Sequence, residues 1–175
     1  MRRWGSPTLE RMISIREAGR LDIIFLPAIE AAADSLVTVI NGKPLPLSLP
    51  AGASRAELEA SLKLLVAGRP CVGFSRLVEI DGAAHLEQLA VLPRYSGRGI
   101  GRALVEASKA WASDHGYTSL TLSTFADVPF NAPFYATCGF EPIRQLSPAL
   151  LQLRRHETEA GLDRIGRRVV MRAAL

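Results

Sequence analysis

Residues 94–104 read Arg-Tyr-Ser-Gly-Arg-Gly-Ile-Gly-Arg-Ala-Leu, and this stretch most constrains the fold of the 175-residue chain. Gly97, Gly99 and Gly101 stand at alternate positions, and an amphipathic helical pattern begins directly after them. A glycine-rich loop that opens a helix presents free backbone N–H groups and the positive end of the helix dipole, which together suit a phosphate group. The stretch therefore predicts a strand–loop–helix unit that binds a phosphorylated ligand.

The spacing of the glycines excludes two common phosphate-binding loops. A P-loop requires Gly-Lys followed by Ser or Thr, and this loop contains no lysine. The dinucleotide pattern G-x-G-x-x-G would place its third glycine at position 102, which is Arg102. What remains is G-x-G-x-G after an apolar run at residues 89–91, and these neighbours favour a ligand loop over an ordinary glycine-rich turn.

Composition limits the class of protein. Hydrophobic residues make up 48% and charged residues 22%, which is typical of a globular chain, and the length predicts a single domain over residues 1–175. The net charge is only +4, without a lysine-rich tail or interleaved aromatic residues, so we expect no nucleic-acid partner. Cys71 and Cys138 lack metal-ligand spacing, and we expect no metal.

The sequence contains no recognisable membrane-spanning segment or signal peptide. Charges and prolines interrupt every apolar run before it reaches membrane-spanning length. The basic residues near the amino end are not followed by the apolar segment of a signal peptide. We therefore expect a cytoplasmic protein without a membrane partner.

Hydrophobic periodicity and turn residues predict alternating strands and helices. The predicted strands cover residues 12–16, 37–40, 62–67, 70–80, 85–91, 118–125 and 168–172, with turns at Asn41-Gly42, Gly68-Arg69 and Asp81-Gly82. The predicted helices cover residues 20–36 with a break at Pro27, residues 54–64 capped by Ser54, residues 100–116, a short segment capped by Asn131, and residues 147–160.

The strand at 85–91 carries an irregularity. Leu86 and Ala90 lie on one face of a regular strand, whereas Leu89 and Val91 lie on the other. A β-bulge between Leu86 and Leu89 reconciles the pattern and leaves backbone N–H groups unpaired beside the glycine loop. Burial of both faces explains the same residues without a bulge.

The order of these elements resembles the GNAT superfamily of acyl-coenzyme A-dependent N-acetyltransferases. The resemblance rests on residues 89–91, on the loop at 97–102, and on the run at 131–140, where Tyr135 precedes Gly139-Phe140. It implies an α/β (α+β) fold with a mixed, twisted sheet of six or seven strands and helices on both faces. Ser96 departs from the family loop, which carries Arg or Gln at that position.

The resemblance also implies the cosubstrate, acetyl-coenzyme A, and the residues that bind it. Its pyrophosphate would meet the backbone of Gly97, Arg98, Gly99, Ile100, Gly101 and Arg102. Its pantetheine arm would run as an extra strand along Leu89, Ala90 and Val91, and Asn131 is a further candidate contact. An N–H near the bulge would polarise the thioester carbonyl.

The implied reaction is direct attack by a primary amine, of a small molecule or a protein, on the thioester. Tyr135 is the candidate acid that protonates the departing thiolate. The base is open between His85, which stands where histone-acetylating relatives carry a glutamate, Glu87, Asp127 and ordered water. The alternative function is a non-catalytic sensor that binds coenzyme A with the same fold.

The binding site for the acceptor amine is the part of the site that the sequence predicts least well. We expect its pocket from the first helices, residues 37–53, the loop at 125–131 and the C-terminal strands. Acidic residues in these segments are candidates to attract a cationic amine: Asp22, Glu30, Asp34 and Asp127. Many members of the superfamily pair through sheet edges or C-terminal strands, so a homodimer is compatible with the resemblance.

Overall fold

The computed structural model describes residues 13–36, 39–40, 43–44 and 49–175. Within them the elements follow in the order β1 (Ile15–Glu17), α1 (Arg20–Ile23), α2 (Leu26–Asp34), β2 (Val39–Ile40), β3 (Lys43–Pro44), α3 (Arg55–Glu59), β4 (Lys63–Ala67), β5 (Gly73–Ile80), β6 (Ala83–Val91), α4 (Ile100–Asp114), β7 (Ser119–Phe125), α5 (Ala132–Thr137), β8 (Glu141–Pro142), α6 (Pro148–Glu159) and β9 (Arg168–Ala174).

Seven strands form one mixed sheet in the order β1-β4-β5-β6-β7-β9-β8. All neighbours in it run antiparallel except β6 and β7, which are parallel. The strands β2 and β3 form a separate two-stranded sheet. The predicted α/β fold with a mixed six- to seven-stranded sheet is confirmed.

Helices cover both faces of the sheet, and β4 shows how the sequence achieves this. Its successive side chains point to opposite faces. Leu64 and Val66 belong to a core with Leu26 of α2 and Leu58 of α3. The alternate residues of β4 pack against α4 on the other face. Each large aliphatic side chain buried in this way contributes about 1.5–3 kcal/mol.

The turn between β5 and β6 forms where Asp81-Gly82 predicts it. Both residues have positive φ, 57° for Asp81 and 70° for Gly82, as a two-residue hairpin of this kind requires. The predicted tight turn at Gly68-Arg69 is wrong in length. Residues 68–72 all lie between β4 and β5, because β5 begins only at Gly73.

The predicted β-bulge is present in β6. Leu86 pairs with Leu77 and Gln88 pairs with Arg76, so Glu87 is an extra residue without a partner on β5. Leu86 and Leu89 then contact the same core although they are an odd number of positions apart. The bulge therefore resolves the phase slip that the sequence shows.

The parallel pair β6 and β7 is short. Its register covers only Ala84–Leu86 and Leu120–Leu122. Beyond Leu86 the two strands part, and none of the described strands pairs with the β7 side of residues 87–91. A gap between two central strands thus opens directly at the bulge.

The observed boundaries of two helices differ from the predicted ones. The predicted helix over 20–36 is two helices that meet at Ile24 and Phe25, because Pro27 occupies the first turn of α2, where its missing N–H costs nothing. Helix α3 begins at the predicted capping box, where Ser54 and Glu57 exchange hydrogen bonds, but ends at Glu59. The strand predicted at 62–67, whose first residues overlapped the end of this predicted helix, is confirmed as β4.

The second half of the chain agrees with the predicted elements. Helix α4 ends before Gly116, which has a φ of +82°, and Ser147 caps α6 by accepting from the Leu150 N–H. At the amino end, β1 covers 15–17 rather than 12–16, and Met12 lies outside the described residues. The predicted turn at Asn41-Gly42 also lies outside them, as do residues 37–38 of the strand predicted at 37–40. In the described part of the chain, no helix is both long and apolar enough to cross a membrane.

Candidate active site

The glycine loop leads from β6 into α4 and exposes backbone N–H groups. Gly97 and Gly99 have φ values of 73° and 78°, in the left-handed region that favours glycine. Gly99 is the N-cap of α4, and the first helical hydrogen bond runs from the Ala103 N–H to its carbonyl at 3.0 Å. The N–H groups of residues 100–102 therefore lack partners within the helix, and they face a site suited to an anion.

The arginines of the loop are placed unequally. Arg94 and Arg98 stack over the ring of Tyr95, at 5.2 and 5.4 Å from its centroid. Arg102 instead turns to the end of α5, where it donates to the carbonyl oxygen of Thr137 at 2.9 Å and to its hydroxyl at 2.7 Å. The side chain of Arg102 thus fastens α5 to α4, while its backbone belongs to the loop.

The free edge of β6 lies beside the loop. The Leu92 N–H donates to the Val72 carbonyl on the β5 side at 2.9 Å. Because backbone groups alternate in direction along a strand, those of Ala90 also face β5, whereas those of Leu89 and Val91 face the gap. Two residues therefore offer backbone hydrogen bonds to an extended ligand lying against β6.

A cavity of about 930 Å³ runs from the loop through the gap to α2. Of the residues predicted to bind the cosubstrate, Leu89, Val91, Gly97, Gly99, Ile100, Gly101, Arg102 and Asn131 line it. Ala90 and Arg98 do not: the Ala90 side chain packs in the core beside α2, and Arg98 stacks on Tyr95.

Tyr135 lies on α5 at the wall of this cavity. Its side chain is held edge-on between Phe134, at 5.1 Å, and Phe140, at 5.8 Å between ring centroids. The residue is 8% exposed, and burial raises the pKa of its phenol above the ordinary value. The raised pKa keeps the phenol protonated at neutral pH. Its hydroxyl has no hydrogen-bond partner among the described residues, so it is available to a ligand.

His85 and Glu87 meet at the bulge. The His85 side chain is 2% exposed, and its Nδ1 lies 2.8 Å from the Thr121 hydroxyl. Its Nε2 lies 3.7 Å from the Glu87 carboxylate, beyond hydrogen-bond distance. Burial lowers the pKa of His85 to about 4, so its imidazole is neutral at physiological pH.

Glu87 is the accessible member of this pair. Its side chain is 36% exposed and lines the cavity. Burial within the cavity raises the pKa of its carboxyl, and the charge of Arg76 opposes the shift without cancelling it. A carboxyl with a raised pKa is better suited to accept a proton than an ordinary glutamate.

The remaining predicted residues lie apart from this pair. Asp127 forms an exposed ion pair with Arg167 at 2.8 Å, which lowers the pKa of Asp127, and it does not line the cavity. Asn131 stands at the N-cap of α5 as predicted, but its side chain makes no capping hydrogen bond.

Sequence reasoning missed a buried ionic network in the cavity wall. Glu157 of α6 pairs with Arg168 of β9 at 2.5 Å and also with Arg154, and it accepts from Ser123 at 2.9 Å. Burial opposes the charge of Glu157, yet the hydrogen bonds from its partners outweigh burial and lower its pKa. Glu157 is one of several charged residues in α6, whose sequence is typical of a solvent-exposed helix. Nothing in the sequence distinguishes Glu157 from the other charged residues of this helix.

The comparisons with known proteins agree with this geometry. The sequence model of the acetyltransferase (GNAT) family matches residues 46–140, more than half of the chain. The chain therefore belongs to the GNAT family of acetyltransferases. The family prediction made from the loop and from the Tyr135 motif is confirmed.

Solved structures share the fold at low sequence identity. A GNAT-family acetyltransferase of Staphylococcus aureus Mu50 superposes with a TM-score of 0.69 at 15% identity, over 93% of this chain and 98% of that chain. A GCN5-related N-acetyltransferase of Rhodopseudomonas palustris gives 0.66 at 20%, over 97% and 100%. A GNAT acetyltransferase of Brucella melitensis in complex with acetyl-coenzyme A gives 0.54 at 22%, over 73% and 82%.

Proposed function

We propose that this chain transfers an acetyl group from acetyl-coenzyme A to a primary amine. The observation that carries the proposal is the parting of β6 and β7 beside the free N-terminus of α4, with Tyr135 at the same cavity. Phosphate, an extended arm and a reacting thioester each find a matching surface there, in the order in which coenzyme A presents them.

The backbone supplies the binding of the cosubstrate. The unpartnered N–H groups of residues 97–102 receive the pyrophosphate. The groups of Leu89 and Val91 that face the gap pair with the amides of the pantetheine arm, as a neighbouring strand would. The Leu89 N–H, which lies nearest the bulge, is then directed at the thioester oxygen, and losing one such donor typically costs about a hundredfold in rate.

Tyr135 is the acid of the proposed reaction. Burial raises its pKa, so the phenol holds its proton at neutral pH. The amine nitrogen forms a bond to the carbonyl carbon and the carbon–sulfur bond breaks. The nitrogen releases its extra proton to solvent, and the sulfur takes the proton of Tyr135. The phenol recovers a proton from solvent before the next turnover.

Glu87 is the base that the geometry favours. An alkyl ammonium has a pKa near about 10 and must lose a proton before it attacks. Glu87 lies open to the cavity and accepts this proton directly or through water. His85 is a weak base because its pKa is lowered to about 4, and Asp127 lies outside the cavity lining.

Direct attack fits better than an acyl-cysteine route. Cys138 is 3% exposed and does not line the cavity. Burial raises the pKa of its thiol, which disfavours the thiolate that nucleophilic catalysis requires. The amine therefore attacks the thioester itself.

The variant Tyr135→Phe distinguishes the proposed enzyme function from the alternative, a non-catalytic sensor of coenzyme A. We expect Tyr135→Phe to lower kcat roughly a hundredfold, since the proton donor is lost, with the Kd for acetyl-coenzyme A within about twofold. Thiol release measures kcat, and calorimetric titration measures Kd. Tyr117→Phe is the matched control, because the Tyr117 hydroxyl binds Glu79 at 2.6 Å and does not line the cavity.

The outcome for the wild-type chain decides the alternative. Acetyl-coenzyme A binding without turnover of any primary amine in a broad panel would favour the sensor. Equal rates for wild type and Tyr135→Phe would remove Tyr135 from the mechanism.

A further inference from the structure

Helix α5, which carries Tyr135, is too short to be stable on its own. It covers only six residues, Ala132–Thr137, and isolated helices of fewer than about 12–15 residues are marginal in water. The side chain at its N-cap, Asn131, makes no capping hydrogen bond. The position of the Tyr135 phenol therefore depends on the contacts that α5 makes with the rest of the protein.

Two cations of α4 hold the C-terminal end of α5. Arg102 donates to the Thr137 carbonyl at 2.9 Å, and Lys109 donates to the Cys138 carbonyl at 3.1 Å. The last carbonyls of a helix lack partners inside the helix, and a cation placed there also interacts favourably with the helix dipole. We call Arg102 and Lys109 the α5 clamp.

The spacing of the clamp residues explains how one helix reaches both carbonyls. Positions 102 and 109 are seven residues apart, which is about two turns of an α-helix, so their side chains lie on the same face of α4. The carbonyls that they bind belong to consecutive residues at the end of α5. The first and third turns of α4 are therefore both tied to one point on the shorter helix.

Thr137 connects the clamp to the residue before Tyr135. Its hydroxyl accepts from Arg102 at 2.7 Å and donates to the Phe134 carbonyl at 2.7 Å. The planar guanidinium of Arg102 thus binds both the carbonyl and the side chain of Thr137. A contact through two points of a rigid group fixes the orientation of α5 as well as its distance from α4.

The ring of Phe134 forms the apolar part of the same contact. A Cβ added at Gly101 would stand 3.6 Å from the Cζ atom of Phe134, so this ring packs against the first turn of α4. Phe134 in turn packs edge-on against Tyr135, at 5.1 Å between the ring centroids. The first turn of α4 and the phenol are thereby connected through one aromatic side chain.

We propose that Arg102 and Lys109 are positioning residues for Tyr135, which hold its phenol at the cavity wall while the sulfur of coenzyme A departs. The inference rests on the proposed function. The backbone of Arg102 belongs to the loop that receives the pyrophosphate, and its side chain holds the helix of the acid. Cosubstrate and acid are therefore placed by the same turn of α4, and their separation does not depend on residues 126–131, which lead into α5.

Loss of the clamp should lower the rate only through Tyr135. We expect Arg102→Met, which keeps the aliphatic part of the side chain, to lower kcat about tenfold, with the Kd for acetyl-coenzyme A within about threefold. In the Tyr135→Phe background the same substitution should change kcat by less than about twofold, because no phenol remains to be positioned. Thiol release measures kcat, and calorimetric titration measures Kd.

Further variants separate the clamp from a general effect of charge. Arg102→Lys keeps the charge and a donor and should recover part of the rate. Lys109→Met should lower kcat less than Arg102→Met, since Lys109 makes one hydrogen bond to α5 instead of two. Arg55→Met is the control, because Arg55 forms an exposed ion pair with Glu59 and does not line the cavity.

Hydrogen exchange tests the clamp without any acetyl transfer. The Tyr135 N–H donates to the Asn131 carbonyl at 2.9 Å, and its exchange reports the opening of α5. We expect exchange within residues 132–140 to be about tenfold faster in Arg102→Met than in wild type, with exchange in β5 unchanged. Thermal unfolding confirms that each variant is folded, and Thr137→Val, which removes only a hydroxyl, replaces Arg102→Met if that variant does not fold.

Three results would overturn the inference: an equal loss of kcat with and without the Tyr135 hydroxyl, a loss confined to the Kd for acetyl-coenzyme A, or unchanged exchange in α5. The first would give the clamp a general structural role, and the second would make Arg102 a phosphate ligand. If wild type acetylates no amine, the proposed function fails, and the exchange measurement alone then decides whether the clamp positions Tyr135.

Discussion

The two ends of the cavity are built in different ways. The end at the glycine loop consists mainly of backbone groups from one continuous stretch, residues 89–102. The end at α2 consists of side chains from segments far apart in sequence, among them Glu30, Leu58 and Phe74. Backbone groups recognise what is constant in a cosubstrate, whereas side chains are exchanged freely to fit different acceptors.

The largest expected effect is the loss of cosubstrate affinity when a side chain is introduced into the glycine loop. Gly99→Glu places a carboxylate and a side chain where the pyrophosphate would bind, and we expect at least a hundredfold loss of affinity for acetyl-coenzyme A in calorimetric titration. Gly116→Glu is the control at the opposite end of α4, with a similar φ of 82° against 78° and no neighbour within 4 Å of the added Cβ. Both variants carry a similar strain of about 1–2 kcal/mol. Equal affinities in the two variants would contradict the assigned pyrophosphate site.

A smaller effect, on kcat/KM, is expected from Glu87, which lies between the two ends of the cavity. Glu87→Gln should lower kcat/KM about tenfold to a hundredfold with little change in the Kd for acetyl-coenzyme A, because the base is lost while the backbone of β6 remains. In wild type, kcat/KM should fall as pH drops through the pKa of Glu87, which lies above that of an ordinary glutamate.

The pH profile of the Glu87 variant sharpens this prediction. The part of the acid limb that Glu87 causes should be missing in Glu87→Gln. Asp127→Asn, which breaks only an exposed ion pair, should keep the wild-type profile. An unchanged rate in Glu87→Gln would assign proton removal to ordered water instead.

The smallest effect is a gain at the loop end. Ser96→Arg supplies the long polar side chain that relatives carry next to the phosphate, and we expect the affinity for coenzyme A to rise about twofold to fivefold at low salt, the equivalent of up to about 1 kcal/mol. Ser113→Arg adds the same charge on the exposed end of α4 and should change nothing. A loss of affinity in Ser96→Arg would mean that the loop already satisfies the phosphates through its backbone.

The same contrast explains how much of the site could be predicted. The loop, the bulge and Tyr135 lie in continuous runs whose glycine spacing and apolar phase depend on local geometry, so the sequence indicates them directly. The contribution of Glu157 and Arg168 arises only when α6 and β9 pack beside β7, and no local pattern marks it. Glu30 and Asp34 were predictable as acidic residues, but their half-buried position in the cavity wall became apparent only in the fold.

The errors in the fold have a similar origin. The helix from Ser54 was predicted too long because local propensity continued past Glu59, whereas pairing with β5 draws the residues from Lys63 into a strand. Tertiary pairing overrides local preference in such segments. The single domain, the homodimer and the cytoplasmic location stay predictions from the sequence.

The extra residue in β6 makes the spacing between His85 and the glycine loop as important as the side chains themselves. If position 87 were deleted, every following residue of the strand would exchange faces. Ala90, which now packs towards α2, would turn to α4, and the edge that faces the gap would present the groups of Ala90 instead of those of its neighbours. Deletion of residue 87 should therefore be more damaging than replacement of its side chain, because the deletion would change both ends of the cavity at once.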